Sequence, residues 1–128
     1  MESDLKKRSN NFAHKCVNLA LSFKRGVLED HVQKQLIRAS TSVAANYRAA
    51  NLGQTKRSFI SKLSIVIEEA DECIFWIEFL EEEKLLQQGK FEDILREARE
   101  LTAIFVASRR TAEKSLLRSS GKNEQEQP

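Results

Sequence analysis

Three observations predict an all-α fold, specifically an antiparallel up-down-up-down four-helix bundle. Turn formers are nearly absent: the 128 residues include four glycines and one proline, which is the last residue. That is too few to punctuate the many short strands of a β fold. Apolar residues recur at three- and four-residue spacing in four successive stretches, the period of a helix with one buried face. The breaks between these stretches are short, so consecutive helices are expected to lie side by side with alternating direction. With 41% hydrophobic and 31% charged residues, the composition is globular and the length fits one domain.

The first helix is expected from about Ser3 to Lys24, with Phe12, Cys16, Leu19 and Phe23 spaced four, three and four apart. Gly26 and the polar Glu29-Asp30 form a loop, with Asp30 as N-cap of the next helix. That second helix, about His31 to Leu52, buries Val32, Leu36, Ala39, Val43 and Ala50. Its middle, Ala39 to Ala45, is built of small residues that let a neighbouring backbone approach. Gly53 ends it as a left-handed cap. Thr55 is the N-cap of a third helix reaching about Gln87, and Gly89 ends that segment. The fourth helix runs from about Lys90 to Leu117, with Phe91, Leu95, Ala98, Thr102, Phe105, Ala112 and Leu116 along one side. The bundle domain is thus residues 3–118. Residues 119–128 are polar and without large apolar side chains, and are expected to be a disordered tail.

The third helix has more apolar surface than one core needs. At ~100° per residue, Phe59, Leu63, Val66, Ile67, Ala70, Ile74 and Ile77 share a broad face. Ile65, Trp76 and Phe79 fall on another, with Glu69 and Glu72 between or beside them. Either these residues widen the core contact, or they form a subunit interface, where aromatics are enriched and half-buried carboxylates need partners. In the second case Ile65, Glu69, Glu72, Trp76, Phe79 and Arg48 are the interface. Arg48 or Arg57 then neutralises the glutamates, and the protein is a homo-oligomer.

Net charge is only +2, but it is sorted along the chain. Residues 1–62 carry twelve Lys/Arg against four Asp/Glu, and residues 63–128 carry nine against fifteen. Alternating helix directions gather Lys6, Lys7, Arg8, Arg48, Lys56, Arg57, Lys62, Arg109, Arg110, Lys114 and Arg118 at one end. Glu78, Glu81, Glu82, Glu83, Glu92 and Asp93 fall at the other, relieved by Lys24, Arg25, Lys84 and Lys90. Helix dipoles favour cations at the end of the fourth helix and acids at its start, but not the glutamates ending the third or the cations opening the first. Half of the sorting therefore has another cause. One cause is solvation of a charged surface. The other is a basic pole that contacts RNA or DNA phosphates, formed by Lys6, Lys7, Arg8, Lys56, Arg57, Arg109, Arg110 and Lys114.

The inventory of reactive groups argues against an enzyme, a metal or a cofactor. The two histidines, His14 and His31, have no ligand spacing, and no glutamate is followed three residues later by histidine. Glycine-rich phosphate loops and nucleophile elbows are absent. Glu68, Glu69 and Glu72 suit an ion-pair network. Cys16 and Cys73 sit in apolar helical settings, which raise rather than lower a thiol pKa; reduced buried thiols fit a cytoplasmic protein. No apolar run is long enough to span a membrane, and the start has no secretory pattern.

Two stretches resemble the signatures of one family. Gln35-Leu36-Ile37-Arg38-Ala39-Ser40-Thr41-Ser42-Val43-Ala44-Ala45-Asn46-Tyr47-Arg48-Ala49-Ala50 resembles the second-helix signature of the four-helix bundle proteins encoded within 23S ribosomal RNA intervening sequences. The run from Phe59 to Glu78, containing Glu68-Glu69-Ala70-Asp71-Glu72-Cys73-Ile74-Phe75-Trp76, resembles their third-helix signature. The resemblance spans roughly residues 9–118. It implies a bacterial cytoplasmic protein of the ribosomal-protein-like class that assembles as a ring, commonly a homopentamer. A nucleic-acid or protein partner is consistent with it, and so is a purely structural or scaffolding role. Asn46 is expected to hydrogen-bond the third helix. Arg48, Glu68, Glu69 and Glu72 are expected to form a polar network within or between subunits.

Overall fold

The computed structural model describes residues 2–53 and 55–126. They form four helices: α1 (Glu2–Leu21), α2 (Val27–Leu52), α3 (Lys56–Glu82) and α4 (Glu92–Glu126). No strand is present among the described residues. α1 packs on α2, α2 on α3 and α3 on α4, with a much lighter contact between α1 and α4; neither diagonal pair has Cα atoms within 8 Å. This is a four-helix bundle, less tightly closed on its α1/α4 side. The side chain of Gln33 near the start of α2 donates to the Ala20 carbonyl near the end of α1 (3.0 Å). Arg38 of α2 meets Glu69 of α3, His31 meets Trp76, and Arg99 of α4 meets Glu78 of α3.

One continuous core runs through the middle. Phe12, Cys16 and Leu19 from α1 meet Leu36, Ala39, Val43 and Tyr47 from α2; α3 adds Leu63, Val66, Ala70, Cys73 and Ile77, and α4 adds Leu95, Ala98, Leu101 and Phe105. The predicted stripes of α2 and α3 are those of the core; in α4 Leu101 and Ile94 enter it, whereas the predicted Thr102, Ala112 and Leu116 are only half-buried. Tyr47 packs on Phe105 with ring centroids 5.4 Å apart. Ser9 and Ser40, the buried polar residues, donate to carbonyls of their own helices. Among the described residues no buried side-chain nitrogen or oxygen lacks a partner.

α1 ends at Leu21 rather than near Lys24, so Phe23 packs on the core from the following loop. The other element ends depart from the sequence-based expectation in four places. α2 begins at Val27, so Asp30 lies in its first turn, where an acid suits the helix dipole, and Gly26 occupies the N-cap without a side-chain cap. Gly53 closes α2 in extended rather than left-handed backbone, with φ −63° and ψ 141°. α3 stops at Glu82, five residues before Gln87. The left-handed residue is Lys84 (φ 60°). The Leu85 amide donates to the Leu80 carbonyl and the Lys84 amide to that of Glu81, both at 2.9 Å. That pair of bonds is a Schellman closure, invisible in a sequence that places lysine where glycine is usual. Gly89 (φ 89°) instead shapes the following loop, where its amide donates to Glu92 (2.8 Å). Thr55 does cap α3, accepting from the Ser58 amide (3.0 Å).

The fourth departure is α4, which continues to Glu126 instead of stopping at Leu117. Its last fully buried residue is Phe105, and Leu117 is exposed. No proline interrupts residues 118–126, so the backbone runs on past the point where packing supports it. The segment expected as a disordered tail is accordingly helix through Glu126.

Candidate functional surfaces: a basic pole and an aromatic ridge

At one end of the bundle, the start of α1 and the second half of α2 leave a groove of about 790 Å³ between them. Ala13, Val17, Ala44 and Ala45 form its apolar walls, with Lys6, Lys7 and Arg48 at its edge. It exists because the small residues of α2 are divided between two faces. Ala39 and Val43 enter the core, whereas Thr41, Ala44 and Ala45 point outward along the α1 boundary. At the same end, in a separate hollow lined by Leu5, Tyr47 and Phe59, Lys56 at the start of α3 donates to the Ser115 hydroxyl of α4 (2.6 Å). Arg57, Arg110 and Lys114 are exposed on the same two segments.

The cations named from the sequence divide into two groups. Lys6, Lys7, Arg48, Lys56, Arg57, Arg110 and Lys114 have no carboxylate partner among the described residues. Arg8 and Arg109 are neutralised. Arg8 donates to Glu97 (2.6 and 3.1 Å) and to Glu100 (3.5 Å) across the α1/α4 side. The bond to Glu97 holds its guanidinium above the usual range, against the opposing effect of burial. Arg109 lies 3.5 Å from Glu113 and 3.4 Å from the Ser64 hydroxyl.

The second surface lies along α3. Trp76 sits edge-on to His31 of α2 (5.5 Å) and to Phe75 (4.9 Å), and Phe79 completes the cluster at 5.9 Å from Phe75. Phe75 is 51% exposed and Ile65 38% exposed. Phe75 is not among the residues the spacing singles out; its ring contacts with Trp76 and Phe79 add it to the cluster. Of the residues the spacing sets apart from the core stripe, Ile65 is exposed, whereas Trp76 and Phe79 are half-buried, Trp76 against His31 of α2; Phe75 is the most exposed member of the ring cluster.

The carboxylates beside them are paired, but with a different arginine from those expected. Arg38 bridges both, donating to Glu69 at 2.8 Å and also to Glu72. Arg48 lies ten residues further along α2, at the groove, and Arg57 is at the start of α3. Neither is among the partners of Glu69 or Glu72. The Trp76 indole N–H donates to the other oxygen of Glu72 (3.2 Å). Burial pushes the Glu72 carboxyl up, but the hydrogen bonds from Arg38 and Trp76, with the charge of Arg38, leave it below its usual value. Asn46 likewise departs from expectation. It donates to the Ser42 carbonyl (3.0 Å) and hydroxyl (2.8 Å) of its own helix rather than to α3.

Cys16 and Cys73 meet across the core. Hydrogen bonding with Cys16, followed by burial, pushes the Cys73 thiol far above its ordinary value. Both side chains are free and fully buried. No Cα of α1 lies within 8 Å of one in α3, beyond the reach of a disulfide without backbone movement. No described helix is long and apolar enough to cross a membrane.

Comparison with known proteins places this geometry in context. A family model described as the 23S rRNA-intervening sequence protein matches residues 1–107. A solved structure of a protein of unknown function from the S23 ribosomal protein family of Bacteroides thetaiotaomicron is similar, with 29% identity and a TM-score of 0.76. The match covers 85% of this chain and 97% of that one. No curated relative matches. With most of its length covered by the family model and its helices shared with a family structure, the chain belongs to the 23S rRNA-intervening sequence protein family.

Proposed function

We propose that this protein is a non-enzymatic, antiparallel up-down bundle of the bacterial cytoplasm that assembles as a homo-oligomer, a pentamer by family expectation, and contacts RNA or DNA phosphates through its basic pole. The observation that supports the nucleic-acid reading is the division of its cations. Arg8, Arg25, Arg38, Arg96, Arg99 and Arg109 each have a carboxylate partner. Lys6, Lys7, Lys56, Arg57, Arg110 and Lys114 have none among the described residues and gather near one end. Of the other unpaired lysines, Lys24, Lys84 and Lys90 share their end with Glu81, Glu82, Glu83, Glu92 and Asp93. Unpaired exposed cations can displace counterions from a phosphate backbone, whereas those already neutralised gain less from it. Repetition around an oligomer multiplies the effect.

Titration of a labelled RNA and a DNA of equal length at two salt concentrations tests this. Binding is expected to weaken with salt and to fall sharply in Lys56→Glu plus Arg57→Glu. Binding indifferent to both refutes it. A second reading, a structural or protein-scaffolding subunit, is favoured by Ile65 and Phe75, large apolar side chains left exposed along α3. It predicts no nucleic-acid binding at physiological salt.

A further inference from the structure

We infer that the hollow within the basic pole takes one unpaired base of a bound nucleic-acid strand, while the cations around it hold the strand's phosphates. The inference rests on the nucleic-acid reading and adds which form of nucleic acid is held: a strand with unstacked bases.

The hollow has a volume of about 630 Å³ and lies between the start of α1, the end of α2, the start of α3 and the second half of α4. It falls on the lightly packed α1/α4 side of the bundle. Its cause is the composition of α4. Leu101 and Phe105 fill the core, and residues at three- and four-residue spacing continue the same face. Beyond Phe105 that face carries Ser108, Ala112 and Ser115, with Thr111 beside them. Large aliphatic side chains there would carry the close-packed core to the end of the bundle; the small ones leave it open. Leu5, Tyr47, Phe59 and Ile104 supply the apolar walls, and Tyr47 is held by its packing on Phe105. The volume is in the range of about 300–1,000 Å³ typical of small-ligand sites.

Charge is arranged around this apolar interior. Lys56, exposed at its edge, gives one of its three donors to the Ser115 hydroxyl (2.6 Å) and has two left for a phosphate. Arg57, Arg110 and Lys114 each adjoin a lining residue in the chain. The one acid between Ile104 and Arg118 is Glu113, which faces Arg109 (3.5 Å). On α1 the neighbours of Leu5 are Asp4 and Lys6, which offset each other.

A hollow lined by apolar groups and flanked by unpaired cations suits a nucleotide whose base is free. A base inside a duplex is stacked and paired, and enters such a space only by flipping out. A single strand offers its bases without that cost, and contact with apolar and aromatic side chains adds affinity whatever the base. The hydroxyls of Ser108 and Thr111 both donate and accept, which accommodates different base edges.

The test uses the full chain with a short DNA single strand, the same strand carrying abasic sites through its middle, and the duplex, each at two salt concentrations. The abasic strand keeps every phosphate and loses the bases. The intact strand is expected to bind about tenfold more tightly than the abasic one, with the same dependence on salt. Ala112→Phe fills the hollow without altering charge. It is expected to abolish this preference while leaving abasic-strand binding, duplex binding and helicity unchanged. Ser108→Leu fills the hollow from the same wall and is expected to do the same. Equal binding of the intact and abasic strands by the wild type overturns the inference. It leaves the basic-pole reading standing and the hollow to an apolar side chain of a protein partner. A preference that survives both filling variants also overturns it. Absence of salt-dependent binding to any of the three probes overturns the inference and the reading beneath it together.

Discussion

Replacing Arg38 with methionine removes the cation that bridges Glu69 and Glu72 while keeping most of the side-chain bulk. The two carboxylates, one turn apart on α3, then face each other with only the Trp76 indole N–H donating to Glu72. Charge-assisted hydrogen bonds contribute about 1.5–3 kcal/mol each when shielded. The Arg38 side chain is 49% exposed, so solvent screening brings each bond toward the surface-pair range of about 0.2–1 kcal/mol. With two bonds, a loss of about 0.4–2 kcal/mol near neutral pH is expected. Glu72 sets the pH dependence. Its folded-state carboxyl lies below the ordinary value of 4.5, so its contribution is present above that value and disappears as pH falls through the folded one. Urea unfolding of wild type and variant, followed by helix circular dichroism and Trp76 emission, should show the gap near neutral pH shrinking in acid below about pH 4. An equal gap at both pH values would refute the bridge as its source.

Three further outcomes follow from other parts of the fold. Lys84→Gly should stabilise the protein by ~1 kcal/mol in the same unfolding assay, by removing a side chain from left-handed backbone. Phe105→Ala, which empties the centre of the core beside Tyr47, should cost about 3–5 kcal/mol, whereas Leu117→Ala beyond the core should cost under about 0.5 kcal/mol. Cys16 and Cys73 should resist a disulfide-exchange thiol reagent in the native state and react together on unfolding; prompt labelling of either would contradict their burial.

The core was legible because helical period and burial are the same information. Leu36, Val43, Leu63, Ile77 and Phe105 recur on faces that only one packing can satisfy. Helix ends were less legible. Thr55 was found because a hydroxyl cap has a sequence signal, whereas the closure at Lys84 depends on two backbone hydrogen bonds that no residue type announces. The arginine serving Glu69 and Glu72 also escaped the sequence. Arg38 and Arg48 lie on one helix, and choosing between them requires the register of α2 against α3, which periodicity leaves free. The groove had a partial signal in the small residues from Ala39 to Ala45. Their division between core and outer face became clear only once α1 was in place.

The central claim is that unpaired cations at one pole, rather than charge in general, meet nucleic-acid phosphates. It is tested most directly by the slope of binding affinity against salt concentration, both on logarithmic scales, for a single-stranded RNA. Each phosphate contact adds about 0.7 to that slope. Lys56→Gln plus Arg57→Gln should therefore lower its magnitude by roughly 1.4 if each cation makes one contact per bound chain. Arg99→Gln, which removes a cation already held by Glu78 at 2.8 Å, should leave the slope unchanged. Equal losses from the two variants, or no salt dependence in the wild type, would contradict the account.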